Sequence, residues 1–380
     1  MSPPRLPLTR PAPFALSGSG LVVGYLLLVL TPLMLAWREA PSGAGFASEL
    51  AGGLAFVGYA MLLAQFVLTG RFRIIGGRIG IDVVLRLHQA LARLLTLFLL
   101  LHPFIYGVTR LWSDPAAYVA ALAQLFTTPA FASGIIAWVG LMVLMVLALK
   151  RTALALSYEA WRASHGFLAL VIALAGWHHA VSVGGLSAAP SLRAAWLVLA
   201  ALAAATLARA YILHPLMQRR RPWRVAEVRA LGPGRWLLAL ETAGKQLDFR
   251  AGQFVWLKLG PHPFTLHENP FSIVSAPQDG RLEFLIREAG DFTSAIGALT
   301  PGTPAWIDGP YGAFTLDAAP RARRIVMLAG GVGLAPCLGM LREAAACGDG
   351  RAFHLVFANR TQSQIVFRDE IAALATHLDL

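Results

Sequence analysis

Cysteine and charge are both scarce in this sequence. Only two of the 380 residues are cysteines, Cys337 and Cys347, and they are not in a CxxC spacing. This excludes a disulfide framework and gives no support to a zinc or iron–sulfur site, so both are expected to be ordinary thiols. Charged residues make up 14% of the chain, whereas soluble domains contain about one quarter. An ordinary soluble enzyme is therefore excluded.

Acidic residues are also few relative to basic ones. The sequence has 20 Asp and Glu against 32 Lys and Arg, which gives a net charge of +12. The basic residues do not form a stripe with interleaved aromatic residues, so nucleic acid is not a predicted partner. Many of them flank apolar runs instead.

Long apolar runs are abundant, and nearly all of them precede residue 215. A transmembrane helix needs roughly 20 residues to cross about 30 Å of hydrocarbon. Six runs meet this length and predict six membrane helices, at about 20–37, 50–70, 84–107, 131–149, 164–184 and 193–214. The composition changes at 218–222. The predicted domains are therefore 1–218 in the membrane, 219–320 as a first soluble domain and 321–380 as a second.

Lysine and arginine residues near the helix ends predict the orientation of the helices. Three of them, Arg38, Arg110 and Arg193, flank the helices on one side. Those on the other side are Arg5, Arg10, Arg71, Arg73, Arg78, Arg86, Lys150, Arg151, Arg162, Arg219, Arg220, Arg221 and Arg224. Both termini are therefore predicted to be cytoplasmic, in a bacterial inner (plasma) membrane.

Five histidines lie within the predicted membrane helices, where ionisable side chains are costly and usually functional. His88 and His102 of the third helix are fourteen residues apart, which is about 40° short of four full turns and about 21 Å along the axis. The fifth helix carries His165 near one end and the pair His178 and His179 near the other. Two helices thus offer imidazoles at two matching depths.

A neutral imidazole is a good ligand for iron. Two facing imidazoles at each depth would hold two b-type haems stacked across the membrane, so all five histidines are candidate metal ligands. Ideal helix geometry favours His179 over His178 as the outer ligand, because it lies fourteen residues after His165. Arg162, one turn before His165 on the same face, is a candidate partner for a haem propionate.

Two segments resemble a known family. "IDVVLRLH" resembles the third helix, and "YEAWRASHGFLALVIALAGWHH" the fifth helix, of the ferric reductase-like transmembrane domain shared by NADPH oxidases and ferric reductases. In that family the fifth-helix histidines are thirteen or fourteen residues apart. The residues around "SHGF" point to His178, so both His178 and His179 stay open, with a slight preference for His178.

The second half of the sequence alternates between apolar and polar residues in short runs. Five such runs, "WRVAEVRAL", "RWLLALET", "QFVWLKL", "RLEFLIRE" and "PAWIDGPYG", predict a small antiparallel barrel. The following "RRIVMLAGGVGLAPCLGMLREAAACG" and "AFHLVFANR" read as strand, glycine-rich turn, helix and strand. This order predicts the start of a parallel dinucleotide-binding sheet.

Glycines in "LAGGVGLAP" mark a predicted nucleotide site. Gly330, Gly331 and Gly333, followed by Pro336, would let the backbone approach a pyrophosphate at a helix N-terminus. Together with "GPYG" at 309–312, this pattern resembles the ferredoxin-NADP reductase fold, in which a flavin barrel precedes a nicotinamide domain. The resemblance implies FAD in the barrel and NAD(P)H at the glycine loop. Arg360, after the second strand, is placed to contact the ribose or its 2′-phosphate, which favours NADPH.

A short phrase occurs twice, as His262 to Thr265 and as Asn269 to Ser272. The second copy runs into the Ser-Ala-Pro turn that the family has after its flavin strand. The resemblance implies that Phe271 stacks on the flavin and Ser272 reaches its reactive edge, which makes these two the catalytic candidates. In this register, Asn269 replaces a His or Arg of the family. The other implied FAD contacts are Pro270, Ile273, Ser275, Arg287, Gly290, Thr293 and Ser294.

The predicted fold is a membrane all-α six-helix bundle followed by a cytoplasmic FAD-binding antiparallel β-barrel and a partial α/β nucleotide-binding domain. The domain is predicted to be partial because the family continues through further strands beyond the point that matches Leu380. The resemblance implies an NAD(P)H-dependent oxidoreductase that passes electrons through FAD and two b-type haems to dioxygen or a ferric chelate across the membrane. The alternative is a cytochrome b-type electron-transfer subunit that feeds a partner redox protein and is not a complete enzyme by itself.

Overall fold

The computed structural model describes residues 16–39, 43, 45–68, 72–183, 186 and 189–380, except for the side chains at 73 and 78. The described residues form two compact units. One comprises Leu16–Ile75 and Asp82–Ala210, and the other comprises Gly76–Ile81 and Tyr211–Leu380. After what the sequence resemblance predicts for each, we call them the membrane unit and the reductase unit.

Helices make up nearly all of the described residues up to Ala208. They are α1 (Gly18–Glu39), α2 (Phe46–Gln65), α3 (Arg73–Ile79), α4 (Ile81–Ile105), α5 (Arg110–Ser113), α6 (Pro115–Thr127), α7 (Ala132–Leu149), α8 (Tyr158–Ser182) and α9 (Pro190–Ala208). Within the described residues, six segments are long and apolar enough to cross a membrane: Gly18–Glu39, Phe46–Gln65, Ile81–Ile105, Pro129–Leu149, Tyr158–Ser182 and Pro190–Arg219. The six predicted membrane helices are therefore confirmed.

The boundaries of the helices differ from the predicted ones in places. The second predicted span ran to residue 70, and residues 69–71 lie outside the described residues, as do Arg5 and Arg10. Two short helices, α5 and α6, occupy a stretch that the sequence pattern left unassigned. Asp114 begins α6 by accepting a hydrogen bond from the backbone N–H of Ala117 at 3.0 Å, as an N-cap residue does.

Aromatic residues form the centre of the membrane unit. Trp196 of α9 is 1% exposed, and its ring stacks on that of Phe56 at 5.9 Å. Tyr59 of α2 packs beside it and donates a hydrogen bond to the Ala173 carbonyl at 2.7 Å. A Cβ atom added to Gly176 would lie 2.6 Å from the Tyr59 ring, so glycine is what lets α8 approach α2. The outer faces of the helices expose large apolar side chains, as membrane-spanning helices do.

The reductase unit begins with a short helix and a closed antiparallel barrel. After α10 (His214–Arg219) come β1 (Trp223–Gly232), β2 (Arg235–Glu241), β3 (Phe254–Leu259), β4 (Asn269–Ser272), β5 (Leu282–Arg287), α11 (Asp291–Ser294) and β6 (Pro304–Tyr311). The sheet order is β4-β3-β6-β1-β2-β5. An antiparallel bridge between Ile273 and Phe284 joins its two ends. The predicted barrel is thus confirmed.

The two copies of the repeated phrase have different structures. Asn269 to Ser272 forms β4, whereas His262 to Thr265 lies in the irregular connection between β3 and β4. The carbonyl of Pro263 in this connection accepts a hydrogen bond from the Lys258 side chain at 2.8 Å. Only the second copy is part of the barrel sheet.

The last part of the chain forms a parallel strand–helix–strand unit. It consists of β7 (Arg324–Gly330), a single 3₁₀ turn, α12 (Leu334–Cys347), β8 (Ala352–Ala358) and α13 (Arg368–Leu374). β7 and β8 pair in parallel, and Asp379 forms a further parallel bridge to Ala352. One face of this sheet exposes Val326, Leu328 and Val356 by 66%, 76% and 56%. This is the uncovered apolar surface expected of so narrow a parallel sheet.

Both cysteines belong to α12. Cys337 is buried, Cys347 is half-buried, and both are free thiols. Burial raises the pKa of each thiol, which makes them less reactive at neutral pH. They are the ordinary thiols that the sequence predicted.

Candidate haem, flavin and nucleotide sites

A large cavity within the membrane unit is lined by one histidine from each of two helices. Its volume is about 1130 Å³, and His102 of α4 and His179 of α8 both line it. Ligand cavities usually enclose about 300–1000 Å³, so this one has room for a bulky group. The other lining residues are mostly apolar or aromatic, including Phe56, Leu99 and Trp138. Such a lining suits a flat and largely hydrophobic ligand.

The two adjacent histidines of α8 have different surroundings. His179 lines the cavity, and its ring centroid is 6.4 Å from that of Phe131. His178 is exposed on the surface of the unit, and its Nδ1 lies 2.9 Å from Oγ of Ser133. The geometry favours His179 as the partner of His102, in contrast to the slight preference for His178 that came from the family resemblance.

A glycine on α7 makes room for the His179 ring. A Cβ atom added at Gly134 would lie 2.6 Å from Nδ1 and 2.7 Å from Cε1 of His179. These distances are well below an ordinary contact, so any larger residue would displace the ring. The sequence analysis did not single out Gly134, because its role depends on which neighbouring helix packs against it.

His88 of α4 and His165 of α8 form the second predicted pair. The two imidazoles are close enough to interact electrostatically, and the Trp161 ring lies 5.4 Å from that of His165. In the part of the chain that the structure describes, Nδ1 of His88, His165 and His179 is buried without a hydrogen-bond partner. Buried polar atoms normally have partners, so these nitrogens are candidates for binding a group outside the chain.

Gln65 and Arg162 are two further polar residues near this second pair. Gln65 ends α2, and its backbone lies close to His88. Both polar atoms of the Gln65 amide are buried without a partner among the described residues. A glutamine inside the apolar run "MLLAQFVL" is a signal that the sequence analysis missed. Arg162, the predicted propionate partner, is half-buried on α8 one turn before His165.

The strand β4 carries the two catalytic candidates. In its pairing with β3, Phe271 lies opposite Val255 and Ser272 opposite Phe254. Because side chains alternate along a strand, Phe271 shares a face with Asn269, and Ser272 shares the other with Pro270. Phe271 is half-buried, and its ring stacks on Phe292 of α11 at 6.0 Å with an angle of 25° between the planes. These two aromatic rings can form a platform for a flat ligand.

Two of the predicted flavin contacts belong to the barrel interior. Ile273 and Ser275 are both 0% exposed. The Ser275 hydroxyl accepts a hydrogen bond from the backbone N–H of Glu283 at 3.1 Å. Their side chains therefore pack inside the barrel, and their contact with FAD stays a prediction.

The predicted pyrophosphate segment forms the single turn of α11. The Thr293 hydroxyl accepts hydrogen bonds from the backbone N–H groups of Ala289 and Gly290 at 2.8 Å and 3.1 Å, and it donates to the Gly290 carbonyl at 3.0 Å. This side chain is therefore engaged in closing the turn. Ser294 and Arg287 are exposed, and a Cβ atom at Gly290 would meet nothing within 4 Å. The surface beside Gly290 is thus open to a ligand.

The glycine loop lies between a strand and a helix, as predicted. Gly330 ends β7, Gly331 has a positive φ of 53°, and Gly333 precedes α12. A Cβ atom at any of the three would meet nothing within 4 Å. Pro336 stands in the first turn of α12, where its missing N–H costs no hydrogen bond. The backbone here is accessible to a phosphate group.

Arg360 lies at the same sheet edge as the glycine loop. Gly330 is paired in register with Ala358, so the two residues that follow β8 are brought close to the loop. Arg360 is exposed. Its neighbour Asn359 has both amide polar atoms buried without a partner among the described residues. The sequence analysis missed Asn359, although a polar residue that directly follows a parallel strand is a typical nucleotide contact.

The helix α12 packs directly on the barrel. A Cβ atom at Gly339 would lie 2.9 Å from the carbonyl oxygen of Ile273. Arg342 donates to Glu283 of the barrel at 2.7 Å and to Glu370 of α13 at 2.6 Å and 3.0 Å. Although burial opposes the charge, these two carboxylates raise the pKa of Arg342. This network joins α12 and α13 to the barrel.

A second group of buried charges stabilises the barrel. Lys258 of β3 lies 3.6 Å from Glu268, and the two side chains are 6% and 0% exposed. Asp308 of β6 lies 3.0 Å from Nε2 of His214 and accepts a hydrogen bond from the Tyr311 hydroxyl at 2.6 Å. Buried charges of this kind are costly unless they are paired.

Three family models match successive segments of the chain. The ferric reductase like transmembrane component matches residues 54–176, the FAD-binding domain matches 224–315, and the oxidoreductase NAD-binding domain matches 327–379. The chain is therefore an integral, multi-pass membrane protein with reductase domains for FAD and NAD. It has the domain architecture of the flavocytochrome ferric reductases and NADPH oxidases.

Individual relatives resemble only part of the chain. The ferredoxin–NADP reductase B of Sorangium cellulosum is 35% identical over 161 residues, which are 41% of this chain and 65% of the relative. The gamma subunit of sulfhydrogenase 2 from Pyrococcus furiosus is 30% identical over 159 residues, 40% of this chain and 54% of the relative. The chain thus spans less than two thirds of the length of these relatives. The cytochrome P450 reductase of Amycolatopsis is similar in structure, with 25% identity, a TM-score of 0.37, and coverage of 41% of this chain and 48% of that one.

Proposed function

We propose that this protein is an NAD(P)H-dependent oxidoreductase that carries electrons across a membrane through FAD and two b-type haems. The main support for this proposal is the pairing of histidines from α4 and α8. His102 and His179 line one large cavity, and His88 lies near His165. Both histidines of the first pair line the cavity, and its apolar wall fits haem as the bound group.

The roles of the residues follow from this arrangement. When bound, the cofactors supply the redox chemistry, while the protein supplies binding, orientation and electrostatics. His88 and His165 would hold the inner haem, and His102 and His179 the outer one. His178 is proposed to have no ligand role, because it is exposed and bonded to Ser133. Arg162 is proposed to pair with a propionate of the inner haem.

The reductase unit has an open surface for each of its two cofactors. We propose that Asn269, Pro270, Phe271, Ser272, Arg287, Gly290, Thr293 and Ser294 contact FAD, and that Gly330, Gly331, Gly333, Pro336 and Arg360 contact NAD(P)H. Phe271 would orient the flavin by stacking, and Ser272 would donate a hydrogen bond near its reactive edge. The exposed Arg360 at the nucleotide edge supports a preference for NADPH over NADH.

The orientation of the protein follows from its charges. Because successive spans alternate in direction, Lys150, Arg151 and the basic residues at 219–221 fall at the same ends of the spans as His88 and His165. By the positive-inside rule these ends face the cytoplasm, so the reductase unit is proposed to lie there. The proposed acceptor, dioxygen or a ferric chelate, then approaches from the side of His102 and His179.

A second candidate function is that of an electron-transfer subunit. The names of some relatives describe parts of larger systems. Examples are the gamma subunit of sulfhydrogenase 2 and the reductase component of propane 2-monooxygenase. By analogy, this chain would deliver electrons to a partner redox protein and would not reduce the final acceptor itself.

Vesicles that contain the purified full chain with haem and FAD test these proposals. NADPH or NADH is added on the reductase side, and haem reduction is followed by its absorption bands. Superoxide-dismutase-sensitive cytochrome c reduction and ferric-chelate reduction are measured in parallel. We expect haem reduction with one of these two acceptor activities. Haem reduction with neither activity would favour the subunit function, and a protein without haem would contradict both.

A further inference from the structure

A proline follows the outer histidine of α4 directly in sequence. Pro103 lies inside the helix Ile81–Ile105. In a regular α-helix the N–H of residue 103 would donate to the carbonyl of residue 99. Proline has no N–H, and its ring also pushes against the carbonyl of the residue four positions earlier. The Leu99 carbonyl therefore cannot receive its usual hydrogen bond from position 103.

The imidazole of His102 interacts with this carbonyl. Nδ1 of His102 lies 2.7 Å from the Leu99 carbonyl oxygen. A carbonyl oxygen can only accept, so Nδ1 must carry the proton. In a neutral imidazole one nitrogen donates and the other accepts, so the lone pair is on Nε2. This single contact fixes both the tautomer and the rotation of the ring.

We propose that Pro103 is a positioning residue, which frees the Leu99 carbonyl so that it locks His102 in the tautomer with Nε2 available to the outer haem iron. The inference rests on the proposed function, because it requires a haem at the cavity between His102 and His179. It is specific to His102, since Nδ1 of His179 has no such partner among the described residues.

The contact also affects the electronic character of the ligand. A hydrogen bond from the second nitrogen of a metal-bound imidazole raises the basicity of the ligand. A more basic ligand stabilises ferric over ferrous iron. With a haem bound at the outer site, Pro103 would thereby lower its reduction potential.

The substitution Pro103→Ala tests the inference, because alanine restores the N–H at position 103. The regained backbone hydrogen bond then competes with His102 for the Leu99 carbonyl. We expect about a tenfold change of the ferric-to-ferrous equilibrium towards ferrous iron, which is about 59 mV upward for a one-electron couple. Pro103→Gly also restores the N–H but adds no side chain, and it should give the same shift.

A redox titration of the purified full chain, followed at the haem bands, measures both midpoint potentials. The variant His88→Ala removes an inner ligand and so assigns the outer potential. Pro32→Ala is the matched control, because Pro32 also lies inside a membrane helix but no histidine is near it in sequence. Its two potentials should equal those of the unmodified protein.

The outcomes separate this inference from the proposed function. An upward shift of the outer potential alone, in both Pro103 variants and not in Pro32→Ala, supports the inference. Two bound haems with unchanged potentials in Pro103→Ala would overturn it and leave the proposed function intact. An unmodified protein without an outer haem would overturn the proposed function, and the inference with it.

Discussion

The substitution Gly134→Ala should selectively remove the outer haem. The new Cβ would lie 2.6 Å from Nδ1 of His179, whereas ordinary contacts begin at about 3.4 Å. The ring must therefore move by about 0.8 Å or leave its rotamer. A metal ligand tolerates a distance error of only about 0.2 Å, so the bond from His179 to the iron cannot survive unchanged. The overpacking itself costs about 1–3 kcal/mol, or roughly 5- to 150-fold in haem retention.

Haem content per chain and the absorption spectrum measure this effect. We expect the purified variant to retain about one haem instead of two, because His88 and His165 are not touched by the change. Gly140→Ala is the matched control on the same helix: its Cβ would press on Ile172 at 3.0 Å, but on no histidine. Two unperturbed haems in Gly134→Ala would refute the assignment of His179 as the outer ligand.

Three further predictions concern the reductase unit. Lys258→Met removes the positive charge from the buried pair with Glu268, so it should destabilise this unit by about 3–5 kcal/mol in denaturant unfolding, while Lys245→Met at an exposed site should not. Ser272→Ala should slow flavin reduction about tenfold in stopped-flow measurements, the effect of one lost hydrogen bond, and Thr265→Ala should leave the rate unchanged. Burial, and next the charge of Asp317, raises the pKa of Glu343, so its ionisation opposes folding as the pH rises. Glu343→Gln should therefore raise the Tm at pH 7.5, and equal Tm gains at pH 7.5 and pH 4.5 would contradict this origin.

The segments of regular structure could be predicted because their physical signals are local. Membrane helices follow from runs of about 20 apolar residues, and barrel strands from apolar alternation. The bridge from Ile273 to Phe284 that closes the barrel joins positions whose proximity depends on the whole sheet order. The helices α5 and α6 were missed because α5 has only 4 residues and α6, with 13, is too short to be recognised as a membrane span.

The site was predictable in its residue types and less so in its details. Helix geometry alone predicts that His88 and His102 share one face of α4. The order of the spans places His165 of α8 at the depth of His88. His178 and His179 are adjacent, and the choice between them depends on the rotation of α8 against α7, which Gly134 and Ser133 reveal only in three dimensions. The sequence could not reveal that the Ser275 hydroxyl accepts a hydrogen bond from a backbone N–H inside the barrel.

The stoichiometry of haem in the purified full chain tests the central claim most directly. The account predicts two b-type haems per chain, each low-spin with two histidine ligands. One haem should be lost in His88→Ala and the other in His179→Ala, while His178→Ala should retain both. A chain that binds no haem, or that keeps both haems after His179→Ala and loses one after His178→Ala, would contradict the account.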